Sequence, residues 1–420
     1  MNKKYYDVAV IGAGPAGLAA AESAKKAGAE KVVIVERDIH AGGILQQCIH
    51  AGFGLSYFGE ELSGPEYAER FEEKVREAGV ELMLDTIALN IREKTLVCAN
   101  KSGMQYIDFG ALILAMGCRE RTRANLVIPG SRPAGIYTAG TAQRIINILG
   151  HKVGQEIVIL GSGDIGMIMA RRLTLNGCKV KAVVEIQPFV AGLVRNKVQC
   201  LDDFEIPLLL SHTVVDITGI DRVESVTIAP VDENKKPIME KSQVIPCDTL
   251  LLSVGLIPEN ELTREAGIPL SDITKGAVVN QYKQTELPYV FACGNVLHVN
   301  DLADNVSLES ESAGKYAAMY VKGDLPEGET IDVLPGDGVR YVCPQKVSTS
   351  GNEDVTLYFR TILPGRDTKM TACDGSGDIV TRKATCTTPG TMESLTIKAG
   401  KLRELTGNVY VSAEHGEVTI

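Results

Sequence analysis

The chain has 420 residues, which is longer than one hydrophobic core usually supports, so two or three domains are expected. Hydrophobic residues make up 45% and charged residues 23%, a composition that excludes disorder over the whole chain. The net charge of −10 is spread among both signs and argues against binding of nucleic acid phosphates. No apolar run is long enough to cross a bilayer, so we expect a soluble, cytoplasmic protein.

The first element pattern is a strand, a glycine-rich turn and a helix near the start of the chain. Strand DVAVIG leads into Gly12, Gly14 and Gly17, a helical pattern runs to Gly28, and strand KVVIVE ends at Glu36. The first glycine permits a tight turn, the second lets the backbone approach a pyrophosphate, and the third lets helix pack on strand. The unpaired N–H groups at the helix N-terminus then face the phosphates. This pattern predicts a dinucleotide-binding unit.

The same pattern returns 149 residues later. EIVILG leads into Gly161, Gly163 and Gly166, Gly177 follows the helix, and Glu185 ends KVKAVVE. In each copy the third glycine lies five positions after the first and the glutamate twenty-four. A single glycine turn also occurs for structural reasons alone, but two complete units favour two bound dinucleotides over a pair of ligand-free folds.

The glutamate that ends each unit is expected to accept hydrogen bonds from ribose hydroxyls. Its charge repels a phosphate on the 2′ oxygen, and one charge pair at about 4 Å with a dielectric near 20 amounts to roughly 4 kcal/mol. With Glu185 in the second unit and no arginine directly after it, NAD(H) is favoured over NADP(H).

Two further strands bracket the second unit. ALILAMGCRE ends in the turn Ala115-Met116-Gly117, and LPYVFACGNV ends in Gly294-Asn295. This arrangement resembles the flavoproteins with two dinucleotide-binding domains, the superfamily of the pyridine nucleotide-disulfide oxidoreductases. The resemblance covers about residues 1–330 and implies an α/β fold in which an NAD domain is inserted into an FAD domain. An asparagine stands where that superfamily has an aspartate, which keeps an acceptor and drops the charge.

The resemblance assigns FAD to the first unit and NAD(H) to the second. The residues predicted to contact FAD are Gly12, Ala13, Gly14, Pro15, Ala16, Gly17, Glu36, Arg37, Gly42, Gly43, Ala115, Gly117, Gly294 and Asn295. Those predicted to contact NAD are Gly161, Gly163, Asp164, Ile165, Gly166, Glu185 and Gly255.

The segment HAGGILQQCIHAGFG, residues 40–54, narrows the resemblance. Disulfide reductases carry two cysteines here, whereas this chain has Cys48 alone, with His50 close by. Together with GSGDIGMIMARRL, the segment is similar to the FAD subunits of hydrogen cyanide synthase, opine oxidase and dye-linked proline dehydrogenase, and to bacterial NAD/FAD oxidoreductases associated with glycerol-3-phosphate dehydrogenase. That similarity implies a subunit that works beside a second flavoprotein. Cys48 and His50 are candidate catalytic residues near the flavin, with an inert thiol and a structural histidine as the alternative.

The rest of the chain carries weaker patterns. Ser307 is predicted to cap a helix that runs to Tyr320, and the glycine- and proline-rich stretch from about 321 predicts a linker. After it, VTLYFRTIL and NVYVSAEHGEVTI predict a small antiparallel β-rich domain. The ten cysteines form no C-x-x-C pair, so we expect reduced thiols and no metal site.

The sequence therefore predicts four segments: FAD-binding residues 1–121, NAD-binding residues 122–286, FAD-binding residues 287–330 and a C-terminal domain of residues 331–420. The predicted function is hydride transfer between NADH and bound FAD, with electrons passing to or from a partner flavoprotein or another acceptor. Two alternatives stay open at this point. One is a non-catalytic electron conduit or redox sensor in a larger complex, and the other is a peroxide or disulfide reductase that uses Cys48.

Overall fold

The computed structural model describes residues 3–418 and divides into two units. The first unit is the chain up to Cys118 together with the chain from Pro258 onward, and the second is Arg119–Ile257. The second unit is therefore an insertion in the first. Residues 258–286 lie in the first unit, although the sequence analysis assigned them to the NAD domain. The C-terminal segment, residues 331–418, also lies in the first unit. The four-segment division stays a prediction.

The first unit begins with a mixed parallel and antiparallel sheet that helices cover. Its strands run in the order β5, β2, β1, β8, β7, β6, and β19 pairs with β8. The elements up to the insertion are β1 (Lys3–Ile11), α1 (Pro15–Lys26), β2 (Val32–Val35), a 3-10 helix (Gly43–Gln47), β3 (Ala51–Phe53), β4 (Leu62–Ser63), α2 (Gly64–Glu77), β5 (Glu81–Met83), β6 (Ile87–Arg92), β7 (Thr95–Asn100), β8 (Gly103–Leu114) and β9 (Cys118–Glu120).

Strand β1 shows why this sheet forms from a nearly continuous apolar run. Val8 and Val10 join the core on one face of the sheet, while Ala9 and Ile11 join the core on the other. Parallel strands that are covered on both faces have this composition. Full burial of each valine contributes about 1.5 kcal/mol or more.

The second unit contains a five-stranded parallel sheet in the order β10, β17, β11, β12, β13, and a three-stranded antiparallel sheet of β14, β15 and β16. Its elements are α3 (Arg123–Leu126), β10 (Ile136–Thr138), α4 (Ala139–Asn147), β11 (Glu156–Leu160), α5 (Asp164–Leu175), β12 (Lys179–Val184), α6 (Val194–Cys200), a 3-10 helix (Asp202–Phe204), β13 (Leu208–Leu209), β14 (His212–Thr218), β15 (Ser225–Pro230), a 3-10 helix (Met239–Lys241), β16 (Gln243–Pro246), β17 (Thr249–Leu252) and β18 (Leu256–Pro258).

The chain then completes the first unit with a long helix and a β sandwich. The sandwich pairs one sheet ordered β22, β20, β27, β24, β25 with another ordered β21, β23, β26. The elements are α7 (Glu261–Glu265), β19 (Val290–Ala292), a 3-10 helix (Gly294–Val296), α8 (Ala303–Lys322), β20 (Thr330–Pro335), β21 (Val339–Cys343), β22 (Lys346–Ser348), β23 (Val355–Thr361), β24 (Gly365–Asp374), β25 (Gly377–Thr387), β26 (Glu393–Ile397), α9 (Ala399–Leu402), β27 (Val409–Glu414) and β28 (Glu417–Val418).

These elements confirm the predicted fold class and correct three details. Helix α8 begins at Ala303, so Ser307 lies inside the helix and is not its cap. The predicted linker is shorter than expected, because α8 extends to Lys322 and β20 begins at Thr330. The C-terminal domain is not wholly antiparallel, since β20 pairs in parallel with β27. Within residues 3–418, no helix is both long and apolar enough to span a membrane.

Candidate functional site

The first glycine-rich turn joins β1 to α1, and two of its glycines are required by the fold. Gly12 has a φ of +103°, and a methyl group placed on it would lie 2.5 Å from the carbonyl oxygen of Ala115. A methyl group on Gly17 would overlap the carbonyl oxygen of Gly12. Gly14 differs, because no heavy atom lies within 4 Å of the position its methyl group would take. This open space lies at the N-terminus of α1, where Pro15 is the first helical residue.

The Glu36 carboxylate lies directly after β2 and is only 8% exposed. One of its oxygens accepts a hydrogen bond of 2.7 Å from the backbone N–H of Ala13, and the other accepts one of 2.8 Å from Asp38. Each carboxylate oxygen offers a second acceptor site. The carboxylate therefore holds the turn in place and keeps acceptor capacity for hydroxyl groups.

Two other predicted segments meet the first turn. Gly42 has a φ of +99° and its N–H donates to the Ala13 carbonyl at 2.7 Å. A methyl group on Gly43 would lie 3.1 Å from the Gly14 Cα atom. Gly294 has a φ of +70°, and its methyl group would lie 2.6 Å from the Ala16 side chain. The structure thus brings residues 42–43 and Gly294 to the turn.

The remaining predicted contacts of the first unit lie as follows. The Asn295 side chain bonds to other protein groups: its oxygen accepts from the Asn300 N–H at 2.9 Å, and its nitrogen donates to the Cys118 sulfur at 3.6 Å. Gly117 has a φ of +70° in the turn after β8. Arg37 is exposed at the surface.

The second turn, between β11 and α5, repeats the first. Gly161 has a φ of +103°, and a methyl group on it would overlap the carbonyl oxygen of Ser253. Glu185 is 5% exposed, and its carboxylate accepts hydrogen bonds from the Ser162 N–H at 2.8 Å and the Gln187 N–H at 2.9 Å. These partners are offset by 149 residues from those of Glu36. Both units therefore build the same hydrogen-bonded turn.

The second turn also has features of its own. Ser162 adds a hydroxyl hydrogen bond of 2.8 Å to the Glu185 carboxylate. Asp164 is the first residue of α5, and its side-chain oxygen accepts from the Leu193 N–H at 2.8 Å and the Asn196 side chain at 2.7 Å. The other residues predicted to contact NAD differ in burial. Gly163 and Ile165 are half-buried and Gly166 is buried, whereas Gly255 is exposed and has a φ of +99°.

The internal repeat extends further than the sequence interpretation recognised. The Gly192 N–H donates to the Ser162 carbonyl at 3.0 Å, as the Gly42 N–H donates to Ala13. An alanine precedes Gly42 and Gly192 alike, and a short helix follows each. The Ala-Gly pair could have been recognised in the sequence. It was missed because its two copies are offset by one residue more than the rest of the repeat.

The cysteine and histidine candidates lie in the segment that follows the 3-10 helix Gly43–Gln47. The Cys48 sulfur lies 3.3 Å from the Ile44 carbonyl oxygen, and His50 Nδ1 lies 3.0 Å from the Ala51 carbonyl oxygen. None of the ten cysteines, all of which lie within the described residues, forms a disulfide. Burial raises the pKa of the Cys98 and Cys293 thiols to about 12, as expected for inert buried thiols. A catalytic role for Cys48 or His50 stays a prediction.

Asp304 is a positioning residue that the sequence interpretation missed. It lies in the first turn of α8, and its buried carboxylate accepts from the N–H groups of Gly54 at 2.9 Å and Ser56 at 2.7 Å. Ser307, the expected cap, instead accepts from the Tyr67 hydroxyl at 2.8 Å. These bonds hold residues 54–56, which follow Cys48, and Tyr67 of α2 against α8. No local sequence motif predicts the hydrogen bonds of Asp304, because its partners lie about 250 residues away in the sequence.

Comparison with known proteins agrees with this geometry. The profile of the family described as pyridine nucleotide-disulphide oxidoreductase matches residues 6–313. The hydrogen cyanide synthase subunit HcnB of Pseudomonas protegens is 27% identical over 315 residues, which cover 68% of this chain and 65% of the relative. An opine oxidase subunit of Agrobacterium tumefaciens is 26% identical over 284 residues, which cover 63% of this chain and 55% of the relative. The chain thus matches less than two thirds of the length of these relatives.

Among solved structures, thioredoxin reductase of T. acidophilum aligns with a TM-score of 0.60 at 20% identity, over 76% of this chain and 99% of that chain. This likeness concerns the fold. The predicted resemblance to the two-domain flavoproteins is confirmed. Members of the matching family bind FAD and use NAD(P)H, so the predicted class of enzyme and its cofactors are confirmed at that level. The family profile covers well over half of the sequence, and the chain belongs to the pyridine nucleotide-disulphide oxidoreductase family.

Proposed function

We propose that the chain is an NADH-dependent flavoenzyme that holds FAD at the first turn and NAD(H) at the second and passes electrons on to a partner. The observation that carries the proposal is the duplicated turn. In each unit a buried glutamate, Glu36 or Glu185, accepts two backbone N–H bonds and keeps acceptor capacity for a ribose. A turn used only for folding has no need of an open helix N-terminus beside such a carboxylate.

The residues of the first turn fit a resident FAD. Gly14 leaves open space above the N-terminus of α1, and Gly42 and Gly43 bring the neighbouring segment close to it. When bound, FAD supplies the hydride chemistry, so the chain needs no acid or base residue for that step. The task of the protein is to bind, orient and exclude water.

The second turn favours NAD(H) over NADP(H). Glu185 is buried, and no arginine directly follows it in the sequence. A 2′-phosphate at about 4 Å from that carboxylate would cost roughly 4 kcal/mol at a dielectric near 20, or about a thousandfold in affinity.

A partner protein is part of the proposal. The two similar relatives reported above are named as subunits, one of hydrogen cyanide synthase and one of opine oxidase. We infer that this protein works in the same way beside a second flavoprotein, a dehydrogenase that handles the carbon substrate.

Anaerobic stopped-flow mixing tests the reaction. The protein loaded with FAD is mixed with NADH or with NADPH, and the visible absorbance of the flavin is followed. We expect rapid bleaching by NADH and much slower bleaching by NADPH. If NADH leaves the flavin oxidised while the substrate of a co-purified partner reduces it, the chain is an electron conduit and the proposal fails.

A matched pair of variants tests the second alternative, a peroxide or disulfide reductase that uses Cys48. Cys48→Ser should leave bleaching by NADH unchanged, because hydride transfer to a flavin requires no thiol. Cys178→Ser, a buried cysteine in the second unit, controls for the loss of any thiol. Loss of multiple turnover with a peroxide or disulfide in Cys48→Ser alone would favour a single-cysteine reductase.

A further inference from the structure

The loop that joins β15 to β16, residues 231–242, lies at the edge of the second unit that carries Glu185. Strand β14 begins at this edge, because the His212 N–H donates to the Glu185 carbonyl at 2.9 Å. Strand β15 pairs antiparallel with β14 and therefore returns to the same edge. The Val231 N–H then donates to the Ser211 carbonyl at 2.8 Å. These bonds anchor the start of the loop beside the end of β12.

A tight turn at the start of this loop is held by Asp232. Its side-chain oxygen accepts from the backbone N–H groups of Asn234 at 2.8 Å and Lys236 at 2.9 Å. Its carbonyl oxygen accepts from the Lys235 N–H at 3.0 Å. Aspartate side chains stabilise turns through bonds of this kind. The turn therefore fixes the backbone at Lys235, which is half-buried.

The Lys235 side chain reaches from this turn to the residue that follows Glu185. Its Nζ atom lies 3.5 Å from the Ile186 carbonyl oxygen, at the long limit of a hydrogen bond. An ammonium has three N–H donors, so at least two remain for other acceptors. Within residues 3–418, the Lys235 ammonium forms no ion pair. Its charge is therefore available to a ligand.

This position bears on the choice of coenzyme. In a dinucleotide-binding unit, the acidic residue at the position of Glu185 faces the adenosine ribose, and units that bind NADP(H) place a cation nearby for the 2′-phosphate. No arginine directly follows Glu185, but Lys235 brings a cation there from 49 residues beyond Ile186. A 2′-phosphate carries nearly two negative charges at neutral pH, so the ammonium attracts it while the carboxylate repels it.

We propose that Lys235 is a specificity-determining residue of the coenzyme site, and that its ammonium pairs with the 2′-phosphate of NADP(H). This inference rests on the proposed function, which assigns NAD(H) to the second turn. NADH remains the preferred coenzyme, and NADPH binds more tightly than Glu185 alone would allow. Two opposed charges thus set the selectivity, and the one contributed by Lys235 comes from a distant loop.

The test measures the dissociation constants of NADH and NADPH for the FAD-loaded protein by fluorescence titration at low ionic strength. Lys235→Met removes the charge and keeps the length of the side chain. Its dissociation constant for NADPH should rise about three- to thirtyfold, while that for NADH should stay within about twofold. 2′,5′-ADP, which carries the 2′-phosphate without a nicotinamide, should show the same loss as NADPH. Lys235→Arg keeps the cation and should bind NADPH as the wild type does.

Lys236→Met is the matched control. Lys236 is the exposed neighbour in the same turn, and its bond to Asp232 uses the backbone N–H rather than the side chain. The two variants change the net charge by the same single unit, so a general effect of charge on the binding of anions would appear in both. We expect Lys236→Met to bind both coenzymes as the wild type does. Equal losses of NADPH affinity in the two variants would overturn the proposal.

Two other results would also overturn it. Equal weakening of NADH and NADPH in Lys235→Met would mean that the lysine acts on a part that both coenzymes share, such as the pyrophosphate. Unchanged NADPH affinity in that variant would mean that the ammonium does not reach the 2′-phosphate. Either result leaves the proposed function standing if NADH still bleaches the flavin. If the wild type binds neither coenzyme, the proposed function fails and this inference fails with it.

Discussion

An alanine at Gly14 is expected to block FAD binding and to leave the fold intact. Nothing lies within 4 Å of the added methyl group, and the φ of −73° at Gly14 is ordinary for any residue. Gly14 is the N-cap of α1, where replacing glycine by alanine costs at most about 1 kcal/mol. The free energy of unfolding should therefore change by no more than that.

The effect on FAD binding should be far larger. The methyl group fills the space through which a pyrophosphate approaches the N–H groups at the start of α1. Each hydrogen bond to a charged group contributes about 1.5 to 3 kcal/mol, so loss of two of them weakens binding by at least about a hundredfold.

Gly17→Ala is the contrasting variant in the same turn. Its methyl group would overlap the Gly12 carbonyl oxygen, so the fold itself should lose about 1 to 3 kcal/mol. Urea unfolding of the FAD-free proteins measures stability, and FAD titration followed by fluorescence quenching measures affinity. Equal losses of stability in the two variants, or Gly14→Ala binding FAD within threefold of the wild type, would refute the account of this turn.

Three further predictions follow from buried charges. Glu185→Gln should reduce the preference for NADH over NADPH by up to about a thousandfold, because the charge that repels a 2′-phosphate is gone. The ratio of the two dissociation constants measures this preference, and an unchanged ratio would show that another group selects the coenzyme. Asp304→Asn should lower the free energy of unfolding by about 1 to 3 kcal/mol, since charge-assisted bonds to two backbone N–H groups are weakened, and an unchanged urea midpoint would contradict it. Burial alone would lower the pKa of His298, but Glu309 and Cys343 beside it raise that pKa well above its ordinary value. The stability this gives is fully present below about pH 6.5 and is lost as the pH rises through the folded pKa. His298→Asn should therefore reduce the decrease in the free energy of unfolding between neutral and alkaline pH, measured by urea unfolding at several pH values. The same pH dependence in the variant and the wild type would show that His298 is not its source.

The geometry of the two glycine-rich turns was predictable because its determinants are local. The glycines at 12, 14 and 17 and the glutamate at 36 lie within one strand-helix-strand segment. The close approach of Gly17 to the Gly12 carbonyl and the bond from the Ala13 N–H to Glu36 are both made within that segment. The start of α8 was predicted wrongly because distant contacts determine it. Ser307 suits a helix cap by residue type, but Asp304 and its bonds to the segment around Ser56 fix that helix end through tertiary contacts.

A cavity between α8 and the C-terminal β sandwich was beyond sequence prediction for a similar reason. Tyr282 and Lys283 precede β19, Glu309 lies on α8, and Tyr358 lies on β23. Only the packing of the sandwich against α8 places these four residues around one space. The strand β20 was hidden as well, since Pro335 and the glycines around it gave the whole stretch the composition of a linker.

The two turns share their backbone hydrogen bonds, so their different tasks must come from side chains. Pro15 and Asp164 occupy the same position, the first residue of the helix after each turn. A carboxylate there stabilises the positive helix end by itself and repels an incoming pyrophosphate, whereas a proline does neither. Under the proposed assignment of the turns, the uncharged position suits a flavin that stays bound, and the repulsion suits a nicotinamide coenzyme that leaves after each reaction.

Asp164→Asn tests this explanation. The asparagine oxygen can still accept from Leu193 and Asn196, so the loop over the turn should keep its place. Removal of one like charge some 6 Å from a phosphate charge, at a dielectric near 20, amounts to about 3 kcal/mol, which solvent screening at the half-buried Asp164 reduces, so NADH should bind roughly ten- to a hundredfold more tightly and dissociate more slowly. The dissociation constant and the release rate, both from stopped-flow fluorescence of NADH, measure the effect, and FAD affinity serves as the internal control. Weaker NADH binding in this variant would mean that Asp164 serves to hold the loop and that its charge does not set the lifetime of the coenzyme complex.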